Sequence, residues 1–252
     1  MKWLDYYRTL LWAHRIRRLP LGGAKDRPYW RSIELALLGM ARDYGVQFPS
    51  ASEYTMLEFG VSSGESFALM LHFRDVLCRR LSVRQRVTCV GFDTFGGLPP
   101  QRADDVAAPW AEGDFAASIE DVRARLRGYD GFELVKGLFC DALPGWRARL
   151  DVAPPVFVSI DCDYYSSTMD VLAEVLPRAP TGCVFYFDDV ATHYWSDRAG
   201  ELQAVREVNE GKFGPHLQLA EYPLWIETGE IRHYKQIYRL VNLEQARFPT
   251  GA

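Results

Sequence analysis

Two short apolar runs between Val156 and Asp189 constrain the fold of this chain more than any other feature. Phe157-Val158-Ser159-Ile160 runs into Asp161-Cys162-Asp163-Tyr164-Tyr165, and Cys183-Val184-Phe185-Tyr186-Phe187 runs into Asp188-Asp189. Both runs are rich in β-branched and aromatic residues, and a helix-length segment separates them. That pattern reads as two consecutive parallel strands, each buried on both faces. In an open α/β sheet the ligand site lies just outside the carboxyl ends of the strands, so Asp161, Asp163, Asp188 and Asp189 are expected at one rim. Neighbouring strands lie about 5 Å apart. Carboxylates that close repel one another unless a cation or bound protons sit among them. The pairs therefore predict a site for a hard metal ion. The plainer alternative is a set of helix caps and surface turns, and for Asp163 in particular a cap on the helix that begins near Ser166.

The remaining strands follow from the same logic. Tyr54 to Phe59 reads as a strand, Gly60 to Gly64 as a turn, and Phe67 to Leu77 as a helix. An acid at a strand end followed by G-x-x-x-G suits an adenosyl ligand. Glycine allows close approach of the backbone, and a helix N-terminus favours a carboxylate. Glu58, Gly60, Gly64 and Ser66 are the cofactor candidates here. The turn is not G-x-G-x-x-G, which counts against a pyrophosphate. A plain strand-to-helix turn would look the same. Arg86 to Asp93 is a second strand, and Asp93 at its end is placed to accept ribose hydroxyls. Residues 96–113 are irregular and read as a lid-like insert. A helix is expected over Asp114 to Leu126 and a third strand over Phe132 to Gly137. Asp141 then either accepts from an adenine amino group or caps a helix. Helices follow over Ser166 to Arg178 and Ser196 to Glu210. His216 to Pro223 and His233 to Val241 alternate as two strands, linked through Gly229 as a hairpin.

The totals bound the function. The chain has 252 residues, enough for one α/β domain with additions. Its net charge of −4 argues against a broad nucleic-acid face. No apolar run approaches the roughly 20 residues of a membrane span, so no integral membrane segment is expected. The five cysteines (Cys78, Cys89, Cys140, Cys162, Cys183) are odd in number and form no C-x-x-C. Reduced thiols and a cytoplasmic location follow, although Cys162 lies between two key acids and a thiolate ligand is open there. Residues 1–31 are basic, and Trp3, Leu4, Tyr7, Leu10, Leu11 and His14 keep a helical period. This helix either lies on a membrane surface or packs on its own domain or a second subunit. The packed reading is preferred, and a homodimer is expected. Residues 1–50 thus form an N-terminal helical extension and 51–252 the main domain.

In order and spacing these blocks resemble a known family. They are Glu58-Phe59-Gly60-Val61 with Gly64-Glu65-Ser66, Gly91-Phe92-Asp93-Thr94-Phe95 with Gly97-Leu98-Pro99, Val135-Lys136-Gly137 with Asp141-Ala142-Leu143-Pro144, Ile160 to Thr168, and Asp188-Asp189. The chain is similar over roughly residues 52–212 to class I S-adenosylmethionine-dependent methyltransferases of the macrocin O-methyltransferase type, which methylate sugar hydroxyls in antibiotic biosynthesis. The resemblance implies a Rossmann-like sheet of seven strands, mostly parallel with the last antiparallel, flanked by helices. It implies S-adenosylmethionine held at Glu58, Gly60, Gly64, Ser66, Asp93 and Asp141. It also implies a divalent ion, usually Mg2+, on Asp161, Asp188 and Asp189, and Asp163 as the general base. The family often has Ile-Asp-Asp-Tyr where this chain has Phe187-Asp188-Asp189-Val190. The segment Ala191 to Arg198 also departs from the usual Gly- and Ala-rich pattern, in a region that shapes the acceptor pocket.

The expected reaction is methyl transfer to a hydroxyl of a small-molecule acceptor, a sugar or glycosylated natural product. His193 rivals Asp163 as base because its ordinary pKa is nearer 7, and solvent is a third route. Three other functions stay open: a catalytically silent adenosyl-binding subunit, a nucleotide-dependent oxidoreductase, and a metal-dependent methyltransferase of catechol-like or other non-sugar diols. The two acid pairs count against the first. The missing G-x-G-x-x-G counts against the second. Nothing in the residues separates the third from a sugar enzyme.

Overall fold

A computed structural model describes residues 26–42, 51–106, 108–221, 224–225, 231–232 and 236–244. The periodic segment from Trp3 to His14 and the Gly229 link lie outside them. Helix α1 (Asp26–Arg42) precedes strand β1 (Glu53–Phe59) and helix α2 (Glu65–Leu81), followed by β2 (Arg86–Asp93), α3 (Ile119–Arg125) and β3 (Phe132–Lys136). Then come α4 (Phe139–Ala142), α5 (Arg147–Val152), β4 (Pro155–Ile160), α6 (Tyr165–Val175), β5 (Val184–Phe187) and α7 (Gly200–Asn209). The chain closes with β6 (Leu217–Glu221), the short pair β7 (Leu224–Trp225) and β8 (Ile231–Arg232), and β9 (Ile237–Asn242).

Seven strands form one sheet in the order β3-β2-β1-β4-β5-β9-β6. β1 to β5 pair in parallel, and β9 runs antiparallel to both β5 and β6. The sheet is thus the expected one, mostly parallel with the last strand reversed. The final hairpin exists, and β7 and β8 extend it as a separate two-stranded ribbon.

Successive strand residues point to opposite faces, and the core divides accordingly. Leu57, Phe59, Val158, Ile160, Phe185 and Phe187 bury one face against Val171, Leu172 and Val175 of α6 and Leu202 and Val205 of α7. Met56, Cys89, Phe157, Val184 and Tyr186 bury the other against α1 and α2. From α1 come Tyr29, Ile33 and Leu37, all buried. Each such side chain contributes roughly 1.5–3 kcal/mol of hydrophobic stabilisation. The described part of the N-terminal region is therefore built into its own sheet.

Helix starts differ from the periodic reading in two places. The helix expected from Asp114 begins at Ile119, with Ser118 as N-cap, because Phe115 takes a left-handed φ of 63°. The helix expected from Ser196 begins at Gly200, because Ala199 is extended (φ −151°, ψ 157°) and serves as its N-cap. Apolar spacing does not reveal a left-handed residue, and such a residue stops a right-handed helix.

Candidate active site

Strand register brings the acids together. Ile160 pairs with both Phe59 and Phe187, so β1, β4 and β5 end level. Beyond that level Asp161 N–H donates to the Phe59 carbonyl (2.9 Å) and Asp188 N–H to the Ile160 carbonyl (3.0 Å). The rim lies where strand order reverses between β1 and β4, the place where doubly wound sheets bind ligands. A cavity of about 1090 Å³ opens there, at the upper end of ordinary small-molecule sites. Gly60, Ser62, Ser66, Asp93, Asp161, Asp163, Asp188 and Asp189 are among the residues that line it.

On the β1–β2 side the expected acids already have partners. Glu58 is fully buried. Its Oε1 accepts from the Ser66 hydroxyl (2.9 Å) and its Oε2 from the Tyr29 hydroxyl. Burial pushes its carboxyl up to about 8, against those two hydrogen bonds, which lower it. Glu58 lies behind the wall; Tyr29 and Ser66 stand in front of it and line the cavity. Asp93 joins two turns, with Oδ2 accepting from Ser62 N–H (2.8 Å) and Oδ1 from Phe95 N–H (2.5 Å). Each oxygen keeps a further lone pair for a ligand hydroxyl.

Gly60 is required by the protein itself. Its φ is +93°, and a Cβ there would sit 1.7 Å from the Asp161 carbonyl oxygen. The β1 turn thus lies directly against the β4 turn. Gly64, with φ +80°, opens α2 toward the cavity without a side-chain cap, leaving amides of the first turn for a ligand. Asp141 is exposed in α4 and does not line the cavity; Leu138 and Phe139 make the wall there. Nor does it cap α4, whose N-cap is Leu138.

On the β4–β5 side the acids face one another. Asp161, Asp188 and Asp189 each place one oxygen within 4.8 Å of the others. Burial first, then Asp188 and Asp189, push the Asp161 carboxyl far up. Burial, Asp189 and Asp188 push Asp163 to about 8. An oxygen-only set of three carboxylates within 4.8 Å of one another, partly open to a cavity, fits a hard divalent cation. Cys162 stands apart from this set, buried 3.5 Å from the Thr168 hydroxyl.

Asp163 sits in a rare turn. Its φ is +61°, and Tyr164 N–H donates back to the Cys162 carbonyl (2.6 Å). Such a γ-turn is strained. The Asp163 N–H donates to Asp189 Oδ2 (3.0 Å), and its carboxylate accepts no hydrogen bond among the described residues. His193 has a different setting. It is 7 % exposed, lies outside the cavity lining and packs against Gly200. Neither ring nitrogen has a partner among the described residues, and burial lowers its pKa.

Several site residues carried no sequence signal. Tyr186 donates to Asp188 Oδ1 (2.5 Å); its place two residues before Asp188, on the same face, is a hint visible only in retrospect. Buried Glu201 of α7 accepts from Asp189 N–H (2.9 Å) and fixes the turn that carries Asp189. Tyr29 comes from a helix outside the strand-and-turn blocks altogether.

The geometry is matched by comparison with known proteins. The chain is 28% identical over 212 residues, 74% of this chain and 77% of the relative, to an 8-demethyl-8-(2,3-dimethoxy-α-L-rhamnosyl)-tetracenomycin-C 4′-O-methyltransferase of Streptomyces olivaceus. Among solved structures it resembles CalS11, a calicheamicin methyltransferase, with a TM-score of 0.60 and 23% identity over 90% of this chain and 83% of that one. It also resembles the O-methyltransferase NovP, with a TM-score of 0.57 and 20% identity over 84% of this chain and 78% of that one. These two likenesses establish the fold. The profile of the macrocin-O-methyltransferase (TylF) family spans residues 52–210, from β1 through α7. The chain belongs to that family.

Proposed function

We propose that this protein transfers a methyl group from S-adenosylmethionine to a sugar hydroxyl of a glycosylated natural product, with a divalent cation at Asp161, Asp188 and Asp189. The observation that carries this reading is the placement of Asp163. A carboxylate that accepts no hydrogen bond among the described residues lines the cavity beside three mutually crowded carboxylates, across from a glycine turn and an open helix N-terminus.

The chain's own groups have distinct tasks. Asp93 accepts ribose hydroxyls, and the first-turn amides of α2 with Ser62 and Ser66 take the amino-acid end of the donor. S-Adenosylmethionine supplies an electrophilic methyl group on its sulfonium. Displacement at that carbon needs the acceptor oxygen in line with the carbon–sulfur bond, so positioning is the first demand on the site. Asp161, Asp188 and Asp189 would hold a magnesium ion, which would supply a Lewis acid for the acceptor oxygens and make a hydroxyl more acidic. Asp163 takes the hydroxyl proton as the oxygen attacks. Tyr186 and Glu201 hold Asp188 and the Asp189 turn in place.

The test has two parts. S-Adenosylhomocysteine is titrated calorimetrically with and without magnesium and should stabilise the fold by roughly 2.7 kcal/mol at 100 times its Kd. Methyl-labelled S-adenosylmethionine is then supplied with a panel of glycosides. Rhamnosides head the panel because the Streptomyces relative is named for a rhamnosyl compound. Label on a sugar oxygen, abolished by chelator, is the expected result. Binding of the adenosyl ligand with label only on catechols would move the acceptor class. No binding at saturation would end the proposal.

A further inference from the structure

Helix α6 follows the Asp161–Asp163 turn directly, yet its N-cap residue is Tyr164, which provides no side-chain cap. The missing acceptor comes from elsewhere in the chain. Asp105, 6 % exposed, accepts from Ser166 N–H through Oδ1 (2.8 Å) and from the Ser166 hydroxyl through Oδ2 (2.8 Å), across 61 positions. The same Oδ2 accepts from Arg102 N–H (2.8 Å). One turn along the helix, Arg102 grips Asp170 in a two-pronged pair, Nη1 to Oδ1 at 3.0 Å and Nη2 to Oδ2 at 2.7 Å. A third tie runs from the Tyr164 hydroxyl to the Trp110 carbonyl (3.3 Å).

The segment that makes these ties is itself closed at its base. Leu98 N–H donates to the Asp114 carbonyl and Gly113 N–H to the Leu98 carbonyl, both 2.9 Å. A Cβ at Gly97 would fall 2.3 Å from the Gly113 carbonyl oxygen. Gln101 bridges to the Ala108 and Trp110 carbonyls inside the loop. A braced loop is therefore docked on the first turn of α6. On the other side of the strained Asp163 turn, Asp189 holds the Asp163 N–H. Residues 163 to 166 are clamped from both ends, by a cluster aspartate and by the loop aspartate.

We propose that Asp105 and Arg102 are positioning residues: by capping and gripping α6 they hold the Asp163 carboxylate against the acceptor while the donor side stays untouched. Among the described residues no other side chain caps the first turn of α6. A strained turn persists only where its surroundings over-determine it. Asp105 is the contact on the helix side that does so. The proposal deepens the methyl-transfer reading, and its activity measurements rest on that reading; its exchange measurement does not.

The experiment compares full-length wild type with Asp105→Ala, Asp105→Asn and Arg102→Ala. Asp105→Ala should speed amide exchange at 163–168 by about tenfold or more, with β1 amides unchanged. It should lower kcat by about tenfold while S-adenosylhomocysteine affinity stays within about twofold. Asp105→Asn keeps an oxygen for the Ser166 N–H and should restore most of both. Arg102→Ala, at the surface, should raise the acceptor KM by several-fold and leave the adenosyl ligand unaffected. Unchanged exchange at 163–168 in Asp105→Ala overturns the proposal. So does a loss of kcat, adenosyl affinity and thermal stability together that Asn fails to rescue. Wild type that binds no adenosyl ligand would sink the methyl-transfer reading, and the exchange comparison would still decide the clamp.

Discussion

The two halves of the site treat their acids in opposite ways. On the β1–β2 side every carboxylate oxygen has a donor from the chain: Tyr29 and Ser66 for Glu58, the Ser62 and Phe95 amides for Asp93. On the β4–β5 side Asp161 and Asp163 have none among the described residues, and burial first, then the neighbouring acids, raise their pKa values. The first half is a finished cradle that a neutral or weakly charged ligand can enter without reorganisation. The second is incomplete as protein alone, because crowded carboxylates are stable only with protons or a cation among them. The contrast matches the division of labour proposed for them: binding a donor on one side, activating a hydroxyl on the other.

The largest expected effect lies in the second half. Asp188→Ala should lower kcat by about 10³-fold, since a Lewis acid at the reacting oxygen contributes several kcal/mol. Affinity for S-adenosylhomocysteine, read by calorimetry, should hardly change. Full turnover by this variant in chelator would erase the distinction between the halves. Asp163→Asn comes next, with a loss of about 10²-fold or more in kcat and magnesium binding kept. Normal turnover there would move the proton to solvent.

A pH series sharpens the same contrast. The Asp163 carboxyl rises from an ordinary 3.8 to about 8 in the folded protein, chiefly through burial and then through Asp189 and Asp188. A group raised by folding stabilises most below its unfolded value and loses that contribution as pH climbs through the folded one. Metal-free protein should therefore lose thermal stability between about pH 4 and pH 8 from this group. Magnesium should reverse the trend near pH 8 and release protons as it binds. Glu58, raised to about 8 mainly by burial, adds a component that magnesium does not remove. A melting temperature equally pH-dependent with and without magnesium would place the titration in the first half alone.

The legible part of this molecule was the part written in contiguous runs. Apolar strands ending in acids gave the parallel sheet, and level strand ends placed Asp161, Asp188 and Asp189 together as read. What local pattern could not show was which partner each acid takes. Asp105 meets Ser166 across 61 positions, and nothing in either neighbourhood announces it. Gly60 lines the cavity, as its reading as room for a ligand requires, but local pattern does not show that the Asp161 carbonyl also presses against it. His193 and Asp163 were both reasonable bases by residue type. Both are buried, His193 at 7 % and Asp163 at 8 % exposure, but Asp163 lines the cavity and His193 does not, and the left-handed φ of Asp163 is not encoded in spacing.

Tyr29 gives the smallest and most pointed test, because it belongs to neither half by sequence and touches both. Its hydroxyl donates to Glu58, and its ring meets the Tyr186 ring edge-on at 5.2 Å. Tyr186 in turn donates to Asp188. Tyr29→Phe keeps the ring contacts and removes only the hydroxyl. Glu58 Oε2 then lies buried without a donor, at a cost of about 1–3 kcal/mol. For a chain of this size that is a fall in Tm of several degrees. If the finished cradle is what holds the donor, affinity for S-adenosylhomocysteine should drop about fivefold, and magnesium affinity should stay the same, since the link to Asp188 runs through the ring that remains. Equal losses of both would mean that the halves are one unit, joined through α1, and that the contrast drawn between them is only one of hydrogen-bond count.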